Sequence, residues 1–366
     1  MSILVNELAC QQGRLGHLTL DAPASLNALS EAMLDDLLSA LDRWEQDEQV
    51  CLVLLDSRDD TAFCSGADLK TLYQALGEGD NRTVEGIFSR EYRLMYRLHR
   101  YPKPVVALAE GVAFGAGMGL LSACRYRLVG PEVALAMPEV RIGLLPDVGA
   151  SWFLNRLPAG LGLFLGLTGA QLNTSDALRV GLADLAVPAQ SRQALVSQIQ
   201  AQAWTGRVAA DDNRLHRLIN QFASQHPTAL PDSQLAQHEQ AIAHLCRQGA
   251  LPDIVDRLLA ADEGNDWWQA CIANLRQGCP VTPWLVSEQL QRGQQMSLRD
   301  SLTMELALAL NCSQAADFRE GIRARLIDRD QSPRWQHGSV REVPGELVES
   351  RFAPPWGHQP SPLDLV

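Results

Sequence analysis

Residues 15–20, Leu-Gly-His-Leu-Thr-Leu, alternate between apolar and small or polar positions and predict a strand. Ser30 is placed to cap a helix whose apolar stripe is Met33, Leu34, Leu37, Leu38, Leu41 and Trp44. Residues 51–55 form a continuous apolar run, the pattern of a strand buried on both faces. Strand, helix and strand in that order predict stacked α/β units. Residues 62–70 lead from an extended segment into a helix ending near Leu76, and the polar, glycine-containing stretch 77–83 predicts a mobile loop. Helical spacing resumes over 82–100, and Pro102 and Pro104 end it and open a strand at 105–108. Residues 115–124 read as a buried helix with a glycine-rich first turn, 125–129 and 133–136 as strands, and 148–157 as a helix with Asp147 at its N-cap. Beyond about residue 190 the β-branched runs disappear and the pattern is helical, as at 254–261, 267–275, 286–291, 302–310 and 318–327. Prolines 344, 354, 355, 360 and 362 predict an extended or partly disordered tail. The expected division is therefore a core over 1–190, a helical region over 191–343 and a proline-rich tail over 344–366.

The chain has 366 residues, 46% of them apolar and 20% charged, which is enough for a sizeable core and leaves little room for long disorder. A net charge of −12 argues against nucleic acid or an anionic membrane as the main partner. No apolar run approaches the roughly 20 residues that span a bilayer. Residues 1–7 lack the basic, then apolar, pattern of a secretory leader. The eight cysteines are scattered without a C-x-x-C pair, which points to free thiols in a reducing compartment and away from zinc. The expected location is cytoplasmic.

Two segments share one physical form, a glycine-containing turn that opens a helix: Ser65-Gly66-Ala67-Asp68 and Phe114-Gly115-Ala116-Gly117. First-turn N–H groups have no partner within their own helix. If the two turns faced each other, the amides of Ala67 and Ala116 would bind one oxygen from two sides, as an oxyanion hole does. Two carboxylates follow, Glu139 after Pro138 and Asp147 after Pro146. Each has a plain reading, a loop carboxylate and a helix N-cap respectively, beside an acid–base one. Asp68 reads as an early-helix charge, Lys70 as a surface lysine or a phosphate contact, and Cys64 as a buried thiol. Gly115-x-Gly117-x-Gly119 is not the G-x-G-x-x-G of a dinucleotide site.

Several segments together resemble the crotonase, or enoyl-CoA hydratase/isomerase, superfamily. They are Ser25-Leu26-Asn27-Ala28-Leu29, Phe63-Cys64-Ser65-Gly66-Ala67-Asp68-Leu69, Lys103-Pro104-Val105-Val106-Ala107, the glycine cluster, and Met137-Pro138-Glu139 with Gly143. Glu91-Tyr92, the run 143–149, Leu167-Thr168-Gly169 and the late motif over 320–335 are similar to the branch that hydrolyses acyl-CoA thioesters. The match covers about residues 13–337. It implies a ClpP-like spiral of ββα units followed by a helical C-terminal region, and an acyl-CoA substrate, with CoA as part of that substrate and no other cofactor or metal. It implies an oxyanion hole from Ala67 and Ala116, CoA contacts at Leu26, Ala67, Asp68, Leu69 and Lys70, and substrate contacts at Glu91, Ala116, Glu139 and Asp147. Glu139 and Asp147 are the implied catalytic pair. Superfamily members commonly assemble as trimers or pairs of trimers, so a homo-oligomer is an open expectation. Hydratases of the superfamily use two glutamates, and the first falls at Gly119 here, so the resemblance implies hydrolysis rather than hydration. Ala116 and Ala150 stand where glycines are usual.

Overall fold

Among the described residues nine strands form: β1 (Ile3–Ala9), β2 (Arg14–Leu20), β3 (Val50–Ser57), β4 (Ala62–Cys64), β5 (Val105–Ala109), β6 (Val112–Phe114), β7 (Tyr126–Val129), β8 (Ala134–Ala136) and β9 (Leu185–Ala186). The computed structural model describes residues 2–261, 264–357 and 359–365. The larger sheet has the order β1-β2-β3-β5-β7-β9 and the smaller β4-β6-β8. From β3 onward, odd-numbered strands join the larger sheet and even-numbered strands the smaller. Each pair leads into a helix: Glu31–Gln46 after β2, Leu69–Glu78 after β4 and Ala116–Ala123 after β6. This is the expected repeat of ββα units. β1 and β2 run antiparallel with Ile3 opposite Leu20, and β2, β3, β5, β7 and β9 are parallel neighbours.

The chain divides into two compact units, neither continuous in sequence. The first comprises Met1–Ala67, Leu94–Leu135 and Leu172–Ser233. Its core is built on β3, buried at every position as its unbroken apolar run requires. Leu52, Leu54, Val106, Leu108 and Leu128 pack with Leu195, Ile199, Leu215, Ile219 and Phe222 of the Arg192–Gln200 and Val208–Gln225 helices. Ser30 caps the Glu31–Gln46 helix, accepting from Met33 N, and that helix buries Met33, Leu34, Leu37, Leu41 and Trp44.

The second unit comprises Asp68–Arg93, Ala136–Gln171 and Gln234–Val366, and is mostly helical. Close helix contacts fix its interior. A Cβ on Gly166 would lie 2.6 Å from Val286, and Phe164 stacks on Trp268 with ring centroids 5.4 Å apart. The Ala316–Ile322 helix approaches the Glu139–Ile142 turn so closely that a Cβ on Gly321 would lie 2.4 Å from the Ile142 backbone.

Positions 190 and 343 each lie inside a compact unit, and residue 190 marks a change in secondary structure, since no strand follows Ala186 among the described residues. Two expectations need correction. The tail is not extended. Gly345–Arg351 is a helix, Val348 and Leu363 are buried, and Asn311 donates to the Arg351 and Ala353 carbonyls at 2.8 and 2.7 Å. Its prolines bound short helices instead of preventing them. The loop expected over 77–83 shrinks to a tight junction between Leu69–Glu78 and Asn81–Arg100, where Gly79 takes φ 71° and Asp80 accepts from Thr83. Strand β1 had no sequence signal because it is an edge strand with mostly exposed side chains.

Candidate active site

In the first unit, strand pairing brings the two glycine turns together. β4 and β6 are parallel neighbours, with Ala62 opposite Val112, so the turns after Cys64 and Phe114 leave the same end of the sheet. The approach is close. A Cβ on Gly117 would lie 2.0 Å from the Cys64 carbonyl oxygen, and one on Gly66 would lie 3.2 Å from the Phe114 oxygen. Gly66 has φ 111° and Gly115 φ 51°, conformations that glycine reaches without strain. Ala116 is the first residue of its helix, so its N–H has no acceptor four residues earlier. Neither the Ala67 nor the Ala116 N–H donates to a described residue.

Leu26 takes φ 52° and is 41% exposed, and its carbonyl accepts from Ser65 N at 2.9 Å, beside the Ala67 turn. Leu29 N donates to the Gly66 oxygen at 2.8 Å. Cys64 is fully buried and packs against Gly66, in line with its structural reading.

In the second unit, Asp68 caps the Leu69–Glu78 helix, accepting from Lys70 N and Thr71 N, while the Lys70 side chain is exposed. The carboxylates of this unit form one buried cluster. Glu91 is 2% exposed, Glu139 6% and Asp147 5%. Glu91 and Glu139 each retain a buried carboxyl oxygen without a hydrogen-bond partner. Asp147 accepts from the Tyr92 hydroxyl at 2.7 Å. Burial first, and then the Asp147 charge, push Glu91 and Glu139 well above the ordinary carboxylate range. Burial raises Asp147 to about 7. None of the three is paired with a cation among the described residues. Carboxyls crowded without a cation cannot all ionise, so such a cluster holds an acid and a base together at neutral pH.

Two features of this cluster lay outside the sequence reading. Tyr92 was only half of a motif; its phenol stays protonated, held up by burial and by the Asp147 and Glu305 charges, and so serves Asp147 as a donor. Asp147 is not a helix N-cap. The helix is Ala150–Phe153 with Gly149 at the cap, and Val148 between them takes φ 50°. A β-branched residue in that region costs roughly 1–3 kcal/mol. Glu305 supplies the capping from the Leu298–Ser313 helix, accepting from Gly149 N and Ser151 N at 2.6 Å each.

The buried acids set how stability varies with pH. Folded Asp147 titrates near 7 against an ordinary 3.8, and Glu305 near 8 against 4.5. Between those values the folded protein binds more protons than the unfolded chain, so its stability falls as pH rises from roughly 4 to 8. Calorimetric melting is expected to show a drop of several degrees from about pH 5 to about pH 8. A flat or rising profile would contradict burial outweighing the hydrogen bonds of these acids.

Among the described residues there is no group of three or more His, Cys, Asp and Glu side chains suited to a metal ion, and no helix long and apolar enough to cross a membrane. A sequence profile described as enoyl-CoA hydratase/isomerase matches residues 15–352. The mitochondrial 3-hydroxyisobutyryl-CoA hydrolase of Gallus gallus is 34% identical over 347 residues, spanning 94% of this chain and 88% of its own. Small ribosomal subunit protein mS47 of Arabidopsis thaliana is 31% identical, over 92% of this chain and 81% of its own. The crystal structure of an enoyl-CoA hydratase from Rhodobacter sphaeroides superposes with a TM-score of 0.84 at 34% identity, covering 97% of this chain and 98% of that one.

Proposed function

Because the chain belongs to the enoyl-CoA hydratase/isomerase family, we propose that it hydrolyses an acyl-CoA thioester, 3-hydroxyisobutyryl-CoA, to 3-hydroxyisobutyrate and CoA. The observation that carries this reading is the buried Glu139 and Asp147 pair in a cluster without a cation. Thioester hydrolysis needs a base for water and an acid for the departing sulfur, and crowded carboxyls supply both. The N–H groups of Ala67 and Ala116 stabilise the carbonyl oxygen as it becomes negative. Glu139 takes a proton from water, or attacks the carbonyl carbon itself to give a mixed anhydride that water then opens. In either route the C–S bond breaks and Asp147 hands a proton to the thiolate or holds the substrate hydroxyl. Glu91 binds the polar end of the acyl group. Leu26, Ala67, Asp68, Leu69 and Lys70 hold the CoA portion. The reaction belongs to valine catabolism.

A second reading, hydration of an enoyl-CoA, is favoured by the likeness to the Rhodobacter sphaeroides enoyl-CoA hydratase. Against it stands Gly119, in the buried Ala116–Ala123 helix, which falls where the resemblance puts the first of the two glutamates that hydratases use. A third, an assembly role without catalysis, is suggested by the likeness to mS47. Eight free cysteines, seven of them buried, support a reducing compartment, and the proposal places the protein in the cytoplasm, although the Gallus gallus relative is mitochondrial. A homo-oligomer is part of the proposal.

The test is thiol release from 3-hydroxyisobutyryl-CoA, with 3-hydroxypropionyl-CoA, acetyl-CoA and crotonyl-CoA alongside. The expected result is fastest release from the first. Loss of the crotonyl double bond without thiol release would make the protein a hydratase, and inertness towards all four would favour the assembly role.

A further inference from the structure

The Asp147 turn is held from behind by buried polar groups that arrive late in the chain. Thr282 Oγ1 donates to the Leu144 carbonyl at 2.7 Å, and Gln289 Nε2 donates to the Pro146 carbonyl at 2.8 Å. Glu305 accepts from Gly149 N through one carboxyl oxygen and from Ser151 N through the other. All three side chains are fully buried. Between Pro146 and Ser151 the backbone takes two successive positive φ angles, at Val148 and Gly149. Such a conformation persists only where the surroundings impose it.

Local capping alone does not account for Glu305. The helix it caps is four residues long, and a serine or asparagine at the cap position would serve such a helix without burying an ionisable group. The cap position here is Gly149, which has no side chain, and the acceptor comes from a residue 156 positions away. A glutamate side chain reaches both N–H groups at once, one with each carboxyl oxygen. Its two contacts fall two and four residues after Asp147, so it fixes the direction in which the chain leaves that residue.

We propose that Glu305 is the positioning residue for Asp147, locking the 147–151 turn through the Gly149 and Ser151 N–H groups so that the Asp147 carboxyl is presented to Tyr92 and to substrate. The inference rests on the reading of Asp147 as a working acid–base group. Gln289 and Thr282 complete the clamp on the approach to Asp147.

The test uses the full-length protein. Glu305→Gln keeps the shape but turns one acceptor into a donor, so one backbone N–H loses its partner. The expected result is a kcat about 10–100-fold lower, with KM and CoA binding within about twofold of the parent. Circular dichroism confirms folding; if Glu305→Gln does not fold, Gln289→Met carries the test, with kcat about 3–10-fold lower at unchanged KM. A double-mutant cycle supplies the readout that a merely structural role would not move. In the Asp147→Asn background, Glu305→Gln should cost no more than about a further twofold, because the lost positioning has nothing left to act on. Parent-like kcat in the folded variants, or a full multiplicative loss in the cycle, overturns the inference. If Asp147→Asn itself turns over at the parent rate, the reading of Asp147 falls and the inference falls with it. If Asp147→Asn is crippled and Glu305→Gln is not, only the inference falls.

Discussion

Glu139→Gln is expected to abolish nearly all thiol release while leaving CoA binding intact. Glutamine has the same shape, so it fits a position that is 6% exposed, on a turn pressed against Gly321. It accepts no proton at neutral pH and forms no anhydride. Loss of a general base costs roughly 10²–10⁴ in rate, and loss of a covalent nucleophile costs up to about 10⁶. The size of the deficit therefore also reports which of the two routes operates. Removing one acid from a crowded cluster relieves like-charge repulsion, so the variant should melt no lower than the parent near pH 8. Steady-state thiol release with calorimetric CoA binding checks both halves. Undiminished turnover would remove Glu139 from the reaction.

The second large effect is expected from a backbone change, Ala116→Pro. Proline has no N–H, so the substitution deletes one proposed oxyanion donor. The position tolerates it, because Ala116 is the first helical residue, where proline is favoured and no helix hydrogen bond is lost. The preceding Gly115, at φ 51° and ψ −118°, lies outside the helical region that a following proline forbids. Deleting one such donor costs roughly 10²–10³ in kcat, and the proline ring occupies the space the oxygen would take, which adds to the loss. Ala116→Gly keeps the amide and serves as the control, with turnover within a few-fold of the parent. A folded Ala116→Pro variant within about threefold of the parent would mean that this amide does not act on the substrate.

Residues that act through their neighbours in sequence were legible, and residues that act across long separations were not. The unbroken apolar run gave β3, the 3.6-residue stripe gave the Glu31–Gln46 helix, and the two glycine turns proved to leave adjacent parallel strands. Glu139 and Asp147 stood out because each follows a proline in a conspicuous motif. Glu305 carried a faint signal, a lone charge on the buried face of the apolar run 302–310. Nothing in a linear pattern names the backbone N–H groups it serves. Asp147 was misread as a cap for the same reason: its spacing from the apolar run suited an N-cap, while the αL backbone at Val148 follows from packing. The proline-rich tail misled because proline counts argue for extension, whereas the helix after Pro344 and the buried Leu363 are decided by what they pack against.

The reach of Glu305 has a consequence in time. The 147–151 turn is synthesised 156 residues before the side chain that locks it. At translation rates of about 5–20 residues per second, it waits roughly 8–30 seconds for its partner to be made. During that interval a nascent chain can already fold the local repeats of its first unit, yet a turn with two successive positive φ angles has no reason to hold its shape. Hydrolytic competence therefore cannot precede the synthesis of Glu305, and a chain released before that residue by a premature stop is expected to be inert even where its early strands have formed.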